Sequence, residues 1–235
     1  MPRACVPRTI VEMHQRFSLH AKYLVLIFLV LALHLLEVNL IDPYTTALVG
    51  VNFAGTVQLM EDGMVHWFSL HWIPVLLYFT IFIYIGIYPF TLWFTPLLFL
   101  ITDQKRAMKT FAYSFLLIYL ITLPFYLFVP ITNVYLYYGT QSGLNTVIPS
   151  VEHVFYTTTT SNNSLPSLHV AMSLLIANTV SLTDNKRYKI LTYFIAGAVI
   201  FSVIYLAIHW ITDVLGGILI SCVVFYLVKR YTKEI

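Results

Sequence analysis

Charge is what this chain has least of. Its 13 Lys and Arg and 10 Asp and Glu make charged residues 10% of 235, where soluble domains run at about a quarter. That scarcity excludes an ordinary soluble domain. Cysteine is nearly absent as well. Cys5 precedes the first apolar run and Cys222 lies inside the last, which excludes a disulfide framework. What fills the chain is apolar: 59% of residues are hydrophobic. The expectation is an all-α integral membrane protein. Six spans of about 20 residues each use half the length and leave room for one outer loop, but not for a separate soluble domain.

Basic residues are also missing from every second connection. They fall in four clusters: Arg3, Arg8, Arg16 and Lys22; Lys105, Arg106 and Lys109; Lys186, Arg187 and Lys189; and Lys229, Arg230 and Lys233. The other connections carry Asp42, Glu61, Asp62, Glu152 and Asp213 and no Lys or Arg. This alternation predicts a six-transmembrane helical bundle with both termini cytoplasmic. It divides into a basic cytoplasmic segment over 1–22, a six-span catalytic domain over 23–228 and a cytoplasmic tail over 229–235. The one-sided charge reports topology, so no nucleic-acid partner is expected. The first run, roughly Tyr23 to Ile41, lacks a small-x-small cleavage pattern and reads as a retained anchor. Residues 1–20 suit either a short interfacial helix or a mobile tail.

Asp42-Pro43 predicts the end of the first span. Trp72 to Ile101 carries no formal charge. A straight helix of that length would be about 45 Å, against a hydrocarbon core of about 30 Å. Pro74, Gly86, Pro89 and Pro96 therefore predict a kinked or tilted helix. The third span is expected over about Phe111 to Val129, followed by a long Tyr-rich outer loop over 130–164. Loops of that size are functional or disordered. Asn162-Asn163-Ser164 matches a glycosylation sequon but abuts a membrane helix and is read as chance. The remaining spans are expected over Pro166 to Leu182, Ile190 to Ile208 and Val214 to Val228.

Two short segments carry chemistry. Pro166 at the head of an apolar helix suits the first turn, where its missing N–H is not needed. The amides of Ser167, Leu168 and His169 would then face outward at the positive end of the helix dipole, an anion site. The Ser167 hydroxyl and His169 ring add a donor and an acid–base group. His209 and Asp213 stand four residues apart and share a helical face. An Asp that accepts from one ring nitrogen fixes the tautomer and leaves the other nitrogen free to attack. A fifth span of about 19 residues rises about 28 Å, so His169 and His209 reach the same outer depth. His14, His20, His66 and His71 read as interfacial residues, and His34 as a mid-span helix–helix hydrogen-bonder.

Ser164-Leu165-Pro166-Ser167-Leu168-His169-Val170-Ala171, together with Tyr205 through His209 and Asp213 to Gly216-Gly217, resembles the type 2 phosphatidic acid phosphatase superfamily over roughly residues 105 to 220. The resemblance implies six spans and a metal-independent phosphoenzyme mechanism with no cofactor. It implies His209 as nucleophile, Asp213 as its orienter and His169 as general acid. Ser167, with Pro166 and Leu168, would bind the phosphate. The chain departs from the family pattern at Val203, where Arg is expected, and at Phe128 to Asn133, which contains no base. The Pro-Ser-Leu-His form and the missing Arg are more similar to the inositol phosphorylceramide synthase branch, whose members are phosphotransferases.

Arg forks normally neutralise phosphate and its transition state. This outer face offers backbone amides, Ser167, Tyr and Asn side chains, and His153, His66 or His71. Such a site suits a singly charged phosphodiester better than a dianion. The expected function is hydrolysis of a membrane lipid phosphate at the extracytoplasmic or luminal face. A lipid phosphotransferase and a non-catalytic lipid-binding or transport protein are the alternatives. The expected partners are a membrane lipid phosphate and the bilayer.

Overall fold

Two of the membrane helices that frame the site widen just before a proline. The computed structural model describes residues 9–150 and 158–233. Helix α1 (Ile10–Leu36) widens into a π-helical turn over Glu37–Ile41 and continues as α2 (Asp42–Val49), with Pro43 in its first turn. Short helices α3 (Ala54–Glu61) and α4 (Met64–Leu70) follow. Helix α5 (Pro74–Ile81) widens in the same way over Phe82–Ile87 and continues as α6 (Tyr88–Ile101), with Pro89 in its first turn. A proline in a helix lacks an N–H and collides with the carbonyl four residues back. A wider turn just before it relieves both problems. The first helix therefore does not stop at Asp42-Pro43 but runs on as a continuous 40-residue helix, Ile10–Val49. The stretch from Ile10 onward belongs to that helix, so the described part of the N-terminal segment is not a separate interfacial element.

The chain goes on through α7 (Lys105–Phe128) and the small loop helices α8 (Val134–Tyr137) and α9 (Gly143–Val147). It ends in α10 (Leu168–Val180), α11 (Lys186–Tyr205) and α12 (Ile211–Tyr231). Helix α10 packs against α6, α7, α11 and α12. Its Val170, Ala171, Leu175, Ala177 and Val180 are fully buried. Among the described residues five helices are long and apolar enough to cross a membrane, and the chain is a multi-pass membrane protein. The fourth of the six expected runs is helical but only 13 residues long, a rise of about 20 Å. Ser167 caps its start, so the helix begins at Leu168 and not at Pro166.

Three of the four basic clusters meet at one end of the bundle. Arg16 donates to the Ile101 carbonyl. His20, fully buried, sits 3.1 Å from Asp103. Lys109 lies over the Tyr231 ring at 5.2 Å, and Thr110 bonds Thr232. The fourth cluster opens α11, whose Tyr188 hydroxyl bonds Thr95 of α6 at 2.7 Å. The segment from 206 to 213 lies at the far end of α11.

Candidate active site

The corner between α11 and α12 holds the first half of the site. Ala207 adopts a left-handed conformation (φ 56), which is strained for a residue with a Cβ. The amides of Ile208 and His209 turn back to the Val203 carbonyl, both at 3.1 Å. This closes the end of α11 and points the chain into α12. In the first turn of α12, Asp213 accepts from the Trp210 amide at 2.9 Å through Oδ2. The same oxygen lies 3.3 Å from His209 Nδ1. The i,i+4 spacing does what the sequence predicts. The carboxylate lies against Nδ1 and not against Nε2. Both side chains are buried.

Helix α12 is itself anchored by a residue that sequence reasoning passed over. Glu61, the last residue of α3, accepts from the amides of Ile211 (3.0 Å) and Thr212 (2.7 Å) and from the Thr212 hydroxyl (2.8 Å). A carboxylate at a helix start satisfies orphan amides and meets the positive end of the dipole.

The second half is the start of α10. Ser167 Oγ accepts from the Val170 amide at 3.4 Å, and the Ser167 amide donates to the Asp213 carbonyl at 3.0 Å. That amide, expected to face outward, instead ties the two motifs together. Pro166 and Ser167 are buried, and the Pro166 carbonyl accepts from Tyr126 Oη at 2.7 Å. The two helices approach closely because Gly216 and Gly217 have no side chain. A Cβ on Gly217 would lie 2.6 Å from the Ser167 carbonyl oxygen.

His169 faces His209 with 5.7 Å between ring centroids. Its Nε2 is 3.1 Å from the Tyr84 hydroxyl, which comes from the second π turn. A cavity of about 170 Å³ opens on both histidines and on Leu168, and is also lined by His34, Tyr88, Asn133 and Asn163. Among the described residues no Lys or Arg lines it. Val203, at the position where the family pattern has Arg, is fully buried in the helical core and does not reach the cavity.

The other expected cations do not supply the missing charge. His66 stacks on Tyr138 at 3.8 Å and His71 on Trp67 at 4.5 Å, and neither lines the cavity. His153 lies outside the described residues. The Asn162-Asn163 pair of the sequon is engaged in side-chain bonds, Asn162 to Thr46 and Asn163 to Glu37.

A family model described as the PAP2 superfamily matches residues 57–227. That is more than half of the chain, and the chain belongs to that superfamily, which generally comprises phosphoesterases. No curated protein and no solved structure matches the chain.

Proposed function

We propose that this member of the PAP2 superfamily is a lipid phosphate phosphatase working through a phosphohistidine, with His209 as nucleophile. The carrying observation is the cavity that presents His209, oriented by Asp213, and His169 to one small volume. His209 Nε2 attacks phosphorus, and the bond to the leaving oxygen breaks. His169 gives that oxygen its proton, without which an alkoxide leaves poorly. Water then attacks the phosphohistidine and passes a proton to His169. Inorganic phosphate leaves, and His209 is free again. Ser167 caps α10 and holds Leu168 at the first helical position, where the amide has no acceptor within the helix. This supports an anion at that helix start.

A lipid substrate is supported by an apolar cavity of about 390 Å³ between α1, α6 and α7. It shares Leu31, Leu92 and Phe115 with the histidine cavity. Along α1 it runs from Leu31 back to Phe17, about 21 Å of helix. The site lies at the end away from the basic clusters, which supports action at the extracytoplasmic or luminal face in a six-span topology.

A second reading, transfer of a lipid phosphoryl headgroup to another alcohol, is favoured by the absence of Lys and Arg from the described lining of the cavity. Such a site suits a singly charged diester. Purified protein with radiolabelled lipid phosphates and phosphodiesters tests both. Release of free phosphate together with acid-labile label on His209 is the expected result. Exchange that requires a second alcohol would establish the transferase. Normal turnover in His209→Ala would exclude the mechanism. Asp213→Asn is expected to fold and to lose rate, since the tautomer is no longer held.

A further inference from the structure

The cavity holds a second histidine–carboxylate pair that the chemistry above leaves unused. His34 lines it from α1. Its Nε2 lies 3.1 Å from the Thr158 carbonyl oxygen and its Nδ1 lies 3.3 Å from Glu37 Oε2. Both neighbours are acceptors. A neutral imidazole has one N–H and can donate to one of them. The doubly protonated ring would donate to Thr158 and carry its charge at ion-pair distance from Glu37. Glu37 is 1% exposed, and a carboxylate taken out of water needs a charged or hydrogen-bonding partner. Its other oxygen accepts from Asn163 Nδ2 at 2.9 Å. The π turn over Glu37–Ile41 carries this carboxylate directly behind His34.

The wall also keeps polar capacity in reserve. His34 Nδ1 and Glu37 Oε2 are at ion-pair distance but not in hydrogen-bond alignment, and Asn163 Oδ1 is buried without a hydrogen-bond partner among the described residues. Buried polar atoms in such a state are the exception in folded proteins, and the Glu37 and Asn163 oxygens, being acceptors, call for a donor such as water or a protonated phosphate oxygen. His34 and Asn163 line the cavity while Glu37 stands behind them. A phosphate entering the cavity therefore meets the ring and the amide before it meets the carboxylate.

We propose that His34, backed by the buried Glu37 carboxylate 3.3 Å away, is the cation of the phosphate pocket and takes the place of the Arg that is absent at Val203. The inference rests on the reading of the cavity as a phosphate site. His34 is a binding residue and Glu37 a positioning residue. The ligand class is a phosphate group carrying up to two charges, so a monoester is within reach of the site.

The test uses the full chain in detergent, with inorganic phosphate and dimethyl phosphate as probes. Binding is followed by calorimetry, and each variant's thermal transition is recorded alongside. His34→Gln is expected to weaken phosphate by about tenfold or more and dimethyl phosphate by less, because Coulomb attraction scales with ligand charge. Glu37→Gln keeps an oxygen for Asn163 and is expected to shift phosphate in the same direction. Equal losses for both probes, unchanged phosphate affinity in both variants, or no phosphate binding by the wild type overturns the inference. If His34→Gln loses its thermal transition, the Glu37→Gln comparison decides. Labelling of His209 by a radiolabelled lipid phosphate is scored separately. Phosphate binding that depends on His34 with no label on His209 would keep this inference and remove the phosphotransfer reading.

Discussion

The amide of Ser167 donates to the main-chain carbonyl of Asp213 at 3.0 Å. One hydrogen bond thus joins the start of the helix that carries His169 to the start of the helix that orients His209. The two halves of the site are 40 or more residues apart in sequence. They share a single main-chain bond and a glycine contact beneath it.

That contact predicts the effect of Gly217→Ala. The new Cβ would meet the Ser167 carbonyl at 2.6 Å, and a backbone atom cannot swing aside. We expect a loss of about 1–3 kcal/mol in stability from overpacking. Activity should fall further than stability alone explains, since Ser167 and Asp213 move apart. A thermal melt and a kcat measurement on the same preparation check this. Wild-type kcat in a folded Gly217→Ala protein would show that the spacing of the two helix starts does not matter.

Glu61 predicts a second effect. Glu61→Ala removes three bonds at the start of α12. Hydrogen bonds to a charged group are worth about 1.5–3 kcal/mol each before relaxation. A lower melting temperature is expected, with a fall in kcat larger than the change in KM, because Asp213 sits in the turn that frays. A variant with unchanged melting temperature would show that water replaces the cap in full.

Leaving-group chemistry separates the roles of the two histidines. His169→Ala should abolish turnover of substrates that expel an alkoxide and spare diphosphates in part, because their leaving group needs less proton assistance. Tyr84→Phe removes the hydroxyl 3.1 Å from His169 Nε2. It should lower alkoxide turnover by about tenfold, less than the roughly hundredfold or more that a positioned acid–base group itself contributes. Equal losses on both substrate types in His169→Ala would assign that ring to binding instead.

Sidedness can be read by labelling from outside with an impermeant thiol reagent, in a background with Cys5 and Cys222 replaced. Gln141 and Asp184 are exposed. Gln141→Cys is expected to label and Asp184→Cys to stay protected. Ser142, next to Gln141, is an unsuitable probe because it is buried and caps α9. The opposite labelling pattern would place the site on the cytoplasmic face.

Much of this site could be read from the chain because its chemistry is local. The i,i+4 spacing of His209 and Asp213 survives folding unchanged, and the Pro-Ser motif does begin a buried helix. What could not be read was long-range. Nothing near Tyr84 in sequence announces that it reaches His169, 85 residues away. Glu61 looks like any acid in an outer loop until α12 is placed above it. His34 was legible as a mid-span hydrogen-bonder, but its partners Glu37 and Thr158 become visible only when α1 and the outer loop are brought together. The first helix ran past its predicted end because the rule that proline stops a helix assumes an α-helical turn before it.

Each of the two π turns contains one more residue than an α-helix would need between the same ends. One displays Glu37 and the other Tyr84. Insertion and deletion of single residues are therefore the genetic events to which this site is most sensitive. Deleting one residue from either turn, for instance Asn39 or Gly86, would let the helix close up as ordinary α-helix. Because the ends of the turn would keep their places, the helix on either side would stay in register, and the change would fall on the residues of the turn itself. The span would remain apolar and still fit the bilayer, but it would no longer set Glu37 against His34 or Tyr84 against His169. Point substitutions test single contacts in this protein. A one-residue deletion in a π turn would test the widened turn that backs each histidine.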